Sequence, residues 1–243
     1  MKLPDKLGEH EVKEYLLHLL NEKHVSYSTL AQNYSALKFI YEVTLKRPWE
    51  VKRIPYPKTP RRLPVVLGRK EIDALFAATT NLKHLAILMM TYSAGLRLNE
   101  VVHLQREDID TARMMVRVRE GKGKADRYSL LSKTALRTLE DYLRYYKPVV
   151  WLFPGVTSEK PLSPTSIQKM FQAARDRAGI TKPASVHTLR HSFATHLIEA
   201  GCSLHHVQLL LGHKSPTTTS TYLHVSRSSR VAVVSPLDVP DNE

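Results

Sequence analysis

The sequence predicts a mainly helical fold with one small antiparallel β-sheet, an α+β arrangement preceded by a short helical arm. Three observations predict it. Apolar residues recur at helical spacing through most of the chain, in runs bounded by capping residues. One stretch, Arg113–Arg119, alternates as a strand does, and Arg127–Leu131 can pair with it across the turn Gly121-Lys122-Gly123-Lys124. Finally, residues 52–64 hold four prolines and five Lys/Arg in thirteen positions. Such a segment is extended, semi-rigid and cationic, and it divides the arm from the rest.

Taken in order, Glu11–Leu20 and Thr29–Leu45 read as two amphipathic helices, the second with Leu30, Tyr34, Leu37 and Tyr41 on one face. Beyond the linker, helices are expected near Arg69–Ala78 and Lys83–Ser93, with another starting near Leu98. The strand pair comes next, then helices over Lys133–Tyr146 and Pro164–Ala178. Ser185 as N-cap and Gly201 as stop bound a helix over Val186–Ala200, with Val186, Leu189, Phe193 and Leu197 as an apolar stripe and His187, Arg190 and His191 beside it. Ser203 caps a shorter helix whose Leu204, Val207, Leu210 and Leu211 face inward and which ends at Gly212. That places His213 just past a helix terminus. Ser215-Pro216 can start a third segment, but Thr217–Thr221 contains only poor helix formers. Tyr222 is therefore expected on a segment with little intrinsic rigidity, which suits a nucleophile that must move.

Composition limits the function. With 243 residues, 42% of them hydrophobic, there is material for one large domain or two smaller ones. A formal net charge of +13 implies a polyanionic partner, nucleic acid first and an acidic membrane second. The longest apolar stretch, Leu85–Met90, is far too short to cross a bilayer. No charged-then-apolar signal segment opens the chain. The single Cys202 excludes internal disulfides and a cysteine-based zinc site. These features predict a soluble, cytoplasmic protein.

The chemistry-bearing residues are Arg97 in Ala94–Glu100, Lys122 on the glycine turn, His187 and Arg190 in His187-Thr188-Leu189-Arg190-His191, His213 in Leu210–Lys214, and Tyr222. Two arginines, two histidines, a lysine and a tyrosine are what metal-free attack on a phosphodiester requires. A free phenol has a pKa near ~10, so about 0.1% is phenoxide at neutral pH, an activation cost of roughly 4 kcal/mol. His187 or His213 can accept the proton near pH 7. Two guanidinium forks can clamp the equatorial oxygens as negative charge builds up. A lysine on a hairpin can protonate the departing sugar oxygen. The product is a covalent phosphotyrosine that keeps the bond energy for resealing. Neither a metal nor ATP, nor any other cofactor, is expected.

These motifs resemble the tyrosine recombinase (phage integrase) family, within it the Xer-like and mobile-element branch. The family's first arginine matches Arg97, its HxxR box His187 and Arg190, its LGH box His213, and its nucleophile Tyr222, nine residues on. Its hairpin lysine falls on Lys122, directly after the first glycine. The resemblance covers about 63–224. It implies a tyrosine recombinase catalytic domain at 65–226, a helical core-DNA-binding (SAM-like) domain at 1–51, a linker at 52–64 and a tail at 227–243. It further implies a site-specific recombinase acting through a 3′-phosphotyrosyl intermediate, with double-stranded DNA as substrate and four protomers on two duplexes. Arg61, Arg62 and Lys124 are expected to meet phosphate. Family members carry four N-terminal helices and this chain offers about two, so the arm reads as truncated and leaves room for an accessory recombinase subunit. Residues 1–64 hold 12 Lys/Arg and 7 Asp/Glu, a modest +5.

Each element has a simpler reading. Arg97 alone would be a surface or helix-capping arginine, and Gly121–Lys124 a basic hairpin tip. His187, His191 and His196 lack the carboxylate partner of a metal site. His205, His206 and His224 read as surface residues. Glu100 and Asp108 stand too far from a second carboxylate for a two-metal nuclease, and no GxxxxGK[ST] is present. The rival of another class is a non-catalytic DNA-binding protein, with Val186–Leu211 as a helix-turn-helix. A type IB topoisomerase would use the same chemistry.

Overall fold

Apolar residues at helical spacing and one hairpin turn become, in the computed structural model, two units, Met1–Arg62 and Leu63–Glu243. The structure describes residues 8–47, 63–119, 126–213, 215–220 and 222–223. Lys122 and Lys124, Arg61 and Arg62, His224 and the expected tail lie outside the described residues.

In the first unit, α1 (Glu9–Asn21) and α2 (Tyr27–Phe39) bury Val12 and Leu16 against Leu30, Tyr34 and Tyr41. Ser26 accepts the Thr29 amide at 3.2 Å and fixes the start of α2. Both helices begin two residues earlier than the sequence suggests. The expected single helix over Thr29–Leu45 is instead an α-helix that widens into a π-helical turn, Ile40–Thr44, closed by the Leu45 amide on the Ile40 carbonyl. Tyr41 stays buried through that widening, as its place in the apolar stripe requires.

In the second unit, the Leu85–Met90 run becomes the centre of α4 (Leu82–Ser93), whose Ala86, Ile87, Leu88 and Met90 have no solvent exposure. Around α4 pack α3 (Arg69–Ala77), α5 (Leu98–Val102), α6 (Lys133–Tyr146), α7 (Pro164–Arg177) and α8 (Val186–Glu199). A helix surrounded by helices must be apolar all round, which is why α4 carries so weak an amphipathic pattern. The sheet is antiparallel in the order β1-β2-β3: Ile109–Asp110, Met115–Val118 and Arg127–Leu130. Val116 pairs with Ser129 and Arg117 with Tyr128, so Val116, Val118 and Ser129 face the core while Arg117 and Tyr128 face out. The strand expected over Arg113–Arg119 is shorter, because Met114 takes a positive φ of 54°. The two-residue β1 was not foreseen. It is too short to show alternation.

Beyond α8 come α9 (Leu204–Leu211) and α10 (Pro216–Ser220). α9 ends as expected at Gly212, in the left-handed conformation with φ +63°. α8 is buried on nearly every side: Thr188, Arg190, Ser192, Thr195 and His196 are all interior alongside its apolar residues. Ser192 accepts the Leu67 amide at 2.9 Å, and His196 Nδ1 pairs with the Tyr92 hydroxyl at 2.8 Å. A helix so enclosed is a core element, whereas α9 buries only Val207 and Leu211 and leaves His205, His206 and Leu209 exposed.

The turn after α4 sets the position of α5. Gly95 has φ +58°, and a Cβ there would lie 2.4 Å from Phe193 Cδ1. Left-handed strain of about 1 kcal/mol and overpacking of roughly 1–3 kcal/mol then add. Gly95→Ala is expected to lower the melting temperature by roughly 5–10 °C in a thermal scan. A change within the scatter of repeated scans would show that Phe193 yields freely.

Candidate active site

The short helix α5 organises the site. Arg97 is its N-cap and Glu100 its third residue, and the Arg97 amide donates to Glu100 Oε2 at 2.7 Å. This is a capping arrangement, and its carboxylate does more than cap. Arg97 Nη1 donates to Glu100 Oε1 at 2.7 Å. From β3, Arg127 donates through Nη1 and Nη2 to both carboxylate oxygens, at 2.9 and 2.8 Å. From α8, Arg190 Nη1 lies 3.6 Å from Glu100 Oε2. Three guanidiniums thus share one carboxylate whose side chain is only 8% exposed.

The same arginines grip backbone carbonyls at helix ends. Arg190 donates to the Gly95 and Leu211 carbonyls at 2.6 Å each, and Arg127 Nε to the Leu210 carbonyl at 2.9 Å. The last carbonyls of α9 carry partial negative charge and lack helical partners, so cations suit them. Arg127 runs so close beneath Gly212 that a Cβ there would stand 2.8 Å from its Cδ. Of the three, Arg97 is the most open, with 25% of its side chain exposed against 9% for Arg127 and 4% for Arg190.

Burial alone would raise the Glu100 carboxyl. The Arg127 pair, the Arg97 amide and the Arg190 charge outweigh it and hold it at about 2. Burial, with the neighbouring Arg97, lowers Arg190 to about 10, still a cation at neutral pH.

Tyr222 reaches this cluster from the end of α10. Its ring is 4% exposed, packed with Phe193, Ala194, Ile198, Val207 and Leu211. Its hydroxyl pairs with His191 Nδ1 at 3.0 Å, and its ring stacks on that of His213, 6.3 Å away at 16°. Burial raises the phenol pKa, while Arg190 and Arg97 pull it back. His213 Nε2 lies 3.2 Å from Arg190 Nη2 and its Nδ1 2.8 Å from Thr219 Oγ1. Arginine only donates, so Nε2 is the accepting nitrogen and Nδ1 carries the proton. Burial, reinforced by the arginines, lowers His213 to about 4. Burial, with His187 and Arg190, does the same for His191. His187, at the start of α8, is open to solvent on one side only, and the partial burial of its ring, with Arg190 and Arg97, lowers its pKa.

Of the residues expected from sequence, Arg97, His187, Arg190, His213 and Tyr222 come together, while Lys122, Lys124, Arg61 and Arg62 lie outside the described residues. His187 and His213, expected to accept the phenol proton, do not meet it: His213 turns its lone pair to Arg190. Sequence reasoning missed Glu100, Arg127, Thr219 and the contact made by His191. Glu100 had a signal, the three-residue spacing of a capping box. Arg127, thirty residues from Arg97, had none. The segment expected to have little intrinsic rigidity carries a five-residue helix, with Tyr222 buried just beyond it.

Residues 66–229 match the model of the phage integrase family, and residues 1–51 that of the phage integrase N-terminal SAM-like domain. A Sinorhizobium fredii protein, y4qK, assigned as an integrase/recombinase, is 41% identical over 98% of this chain and 78% of its own length. Tyrosine recombinase XerD of Staphylococcus saprophyticus is 35% identical over 86% of this chain and 76% of its own. Among solved structures, the XerH site-specific recombinase bound to its difH substrate is similar in fold, with a TM-score of 0.78 at 21% identity, over 92% of this chain and 70% of that one.

Removing the Glu100 charge would leave three buried or half-buried guanidiniums facing one another. A carboxyl depressed from 4.5 to about 2 contributes about 3 kcal/mol of stability above its unfolded value, and loses it as pH falls from about 4.5 towards 2. Glu100→Gln should therefore be less stable than wild type by at least that amount at pH 7 in urea titrations. The gap should close as the pH is lowered through that window. A gap independent of pH would show that the carboxylate charge is not what is lost.

Proposed function

This chain belongs to the phage integrase family and is a tyrosine recombinase, and from that premise we propose that Tyr222 is its nucleophile at the Arg97–Arg190 centre. The observation that carries this reading is the placing of a buried phenol beside two guanidiniums, those of Arg190 and Arg97. Arg97 and Arg190 act on the charge of Tyr222, and an anion seated there would meet both. No helix among the described residues is long and apolar enough to cross a membrane.

In the proposed step the Tyr222 oxygen attacks the scissile phosphate, and Arg97 and Arg190 stabilise the equatorial oxygens. Lys122 protonates the departing 5′-oxygen, and His187 hydrogen-bonds the phosphate. His213 acts through Arg190 and Thr219, which orient its ring against that of Tyr222. The 3′-phosphotyrosyl product is then attacked by a 5′-hydroxyl of the partner strand, which releases the tyrosine and reseals the backbone. The guanidiniums and the lysine do the electrostatic work of a divalent ion, so the step is written without metal or ATP. Residues 65–226 form the catalytic domain, 1–51 the core-DNA-binding domain and 227–243 a tail, with Arg61 and Arg62 of the linker and Lys124 of the hairpin on phosphates. Four protomers on two duplexes, in the cytoplasm, complete the reading. Strand exchange, beyond simple relaxation of supercoils, separates it from a type IB topoisomerase.

Tyr222→Phe removes only the phenolic oxygen. It should bind duplex DNA as wild type does and form no covalent adduct on a suicide substrate, whereas the wild-type adduct should form in excess EDTA. An adduct in Tyr222→Phe would move the nucleophile elsewhere.

The two lysines separate by substrate chemistry. Lys122→Ala should regain cleavage on DNA whose bridging 5′-oxygen is sulfur, because a thiolate leaves unprotonated. Lys124→Ala should instead bind more weakly, with its salt slope reduced by about 1. Sulfur rescue confined to Lys124→Ala would reverse the two roles.

A further inference from the structure

We propose that His191 is the base that takes the proton from Tyr222 during strand cleavage. The proposal rests on Tyr222 being the nucleophile. Among the described residues two histidine rings meet Tyr222, those of His191 and His213, and their hydrogen bonds distinguish them. His213 has its accepting nitrogen on Arg190 and its proton on Thr219, so no lone pair of that ring is left for a phenol. His187, one turn earlier on α8, is exposed towards the solvent side of the site. His191 Nδ1 is 3.0 Å from the Tyr222 hydroxyl, within reach of the proton to be moved. With its own proton on Nε2, the ring accepts from the phenol. The apolar packing of Tyr222 and the 5.7 Å separation of the two rings hold that pairing in place.

The step balances. The Tyr222 O–H bond breaks and its proton passes to Nδ1 of His191, giving an imidazolium. The oxygen forms the bond to phosphorus, the P–O5′ bond breaks, and the leaving oxygen takes a proton from Lys122. On resealing, the incoming 5′-hydroxyl gives its proton to Lys122, and His191 returns its own to the departing phenolate. The surroundings favour this cycle. Burial and Arg190 keep His191 neutral at rest, so its lone pair is always present. The arriving phosphodiester carries the negative charge that offsets Arg190 and stabilises the imidazolium once formed.

The test compares two tyrosines. His191→Gln and His191→Asn are placed in the full chain with either natural Tyr222 or a fluorinated tyrosine at 222 whose phenol ionises near neutral pH. Adduct formation on a suicide duplex is followed in single turnovers, with DNA affinity measured in parallel. With natural tyrosine, both variants should cleave about 100-fold more slowly at unchanged affinity. With the fluorinated tyrosine the loss should shrink at least tenfold, since little proton transfer remains to be catalysed. The Asn variant keeps an oxygen near the place of Nδ1 but cannot carry a proton, so it should stay as slow as Gln. Equal losses in both tyrosine backgrounds, a wild-type rate in His191→Asn, or faster cleavage in either variant would overturn the proposal. Those results leave the wild-type adduct at residue 222 intact. Failure of wild type to form that adduct would instead overturn the nucleophile assignment and this proposal with it.

Discussion

One buried carboxylate ties the catalytic unit together. Glu100 joins the N-terminus of α5, the start of β3 and the middle of α8 through Arg97, Arg127 and Arg190. Through the free ends of those arginines it also fixes the turn after α4 and the C-terminus of α9. Buried ion pairs are poor evidence of stability in general, since desolvation consumes much of the Coulombic gain. Their value here is positional. Arg127 and Arg190, each held through several nitrogens, are fixed in place, so under the proposed reaction they would meet a phosphate at little further cost in reorganisation. The glycines at 95 and 212 belong to the same constraint, for each lets an arginine or an aromatic ring pass where a Cβ would stand.

The proposed nucleophile, Tyr222, is held on different terms. α10 is five residues of proline, threonine and serine, which disfavour helix by about 2–3 kcal/mol together. Burying the Tyr222 ring returns about the same amount. The helix exists because the tyrosine docks, and the docking is close to balanced. Under the proposed reaction the phenol must reach phosphorus, and such terms suit it, firm enough to be aligned and weak enough to leave its pocket. The arginines are held by several partners each or by a buried carboxylate, whereas Tyr222 has one hydrogen bond and its ring packing.

Long-range cause decides what the sequence could disclose. The runs Lys133–Tyr146 and Val186–Glu199 carry their own caps and stripes, so their helices were legible to within a residue. The π-turn at Ile40–Thr44 was not, because a single inserted residue leaves the apolar spacing almost unchanged. The site divides in the same way. Arg97, His187, Arg190, His213 and Tyr222 were legible as residue types whose chemistry fits one reaction. Arg127 and the partner of the phenol were not, since both depend on which side chains the fold brings within 3 Å, and adjacency of Arg190 and His191 says nothing of where each ring or fork points. Glu100 was read only as an acid too far from a second carboxylate for a metal site, and two of its three arginine partners come from distant elements.

The charges of the site suit the proposed reaction better than a bound phosphodiester at rest. Arg97, Arg127 and Arg190 bring three positive charges and Glu100 one negative, which leaves two in excess. His191 and His213, both lowered to about 4, are neutral at rest. A phosphodiester at rest carries one negative charge and leaves the cluster under-neutralised. In the proposed step, as the Tyr222 oxygen closes on phosphorus, a second charge develops on the equatorial oxygens, and the arginines meet more negative charge there than in the bound substrate. Interactions stronger in the transition state than in the bound substrate are the ones that accelerate a step. A second buried acid beside Glu100 would have neutralised the arginines in advance, and a lone pair of arginines without Glu100 would have repelled each other out of place. One carboxylate for three guanidiniums satisfies both demands.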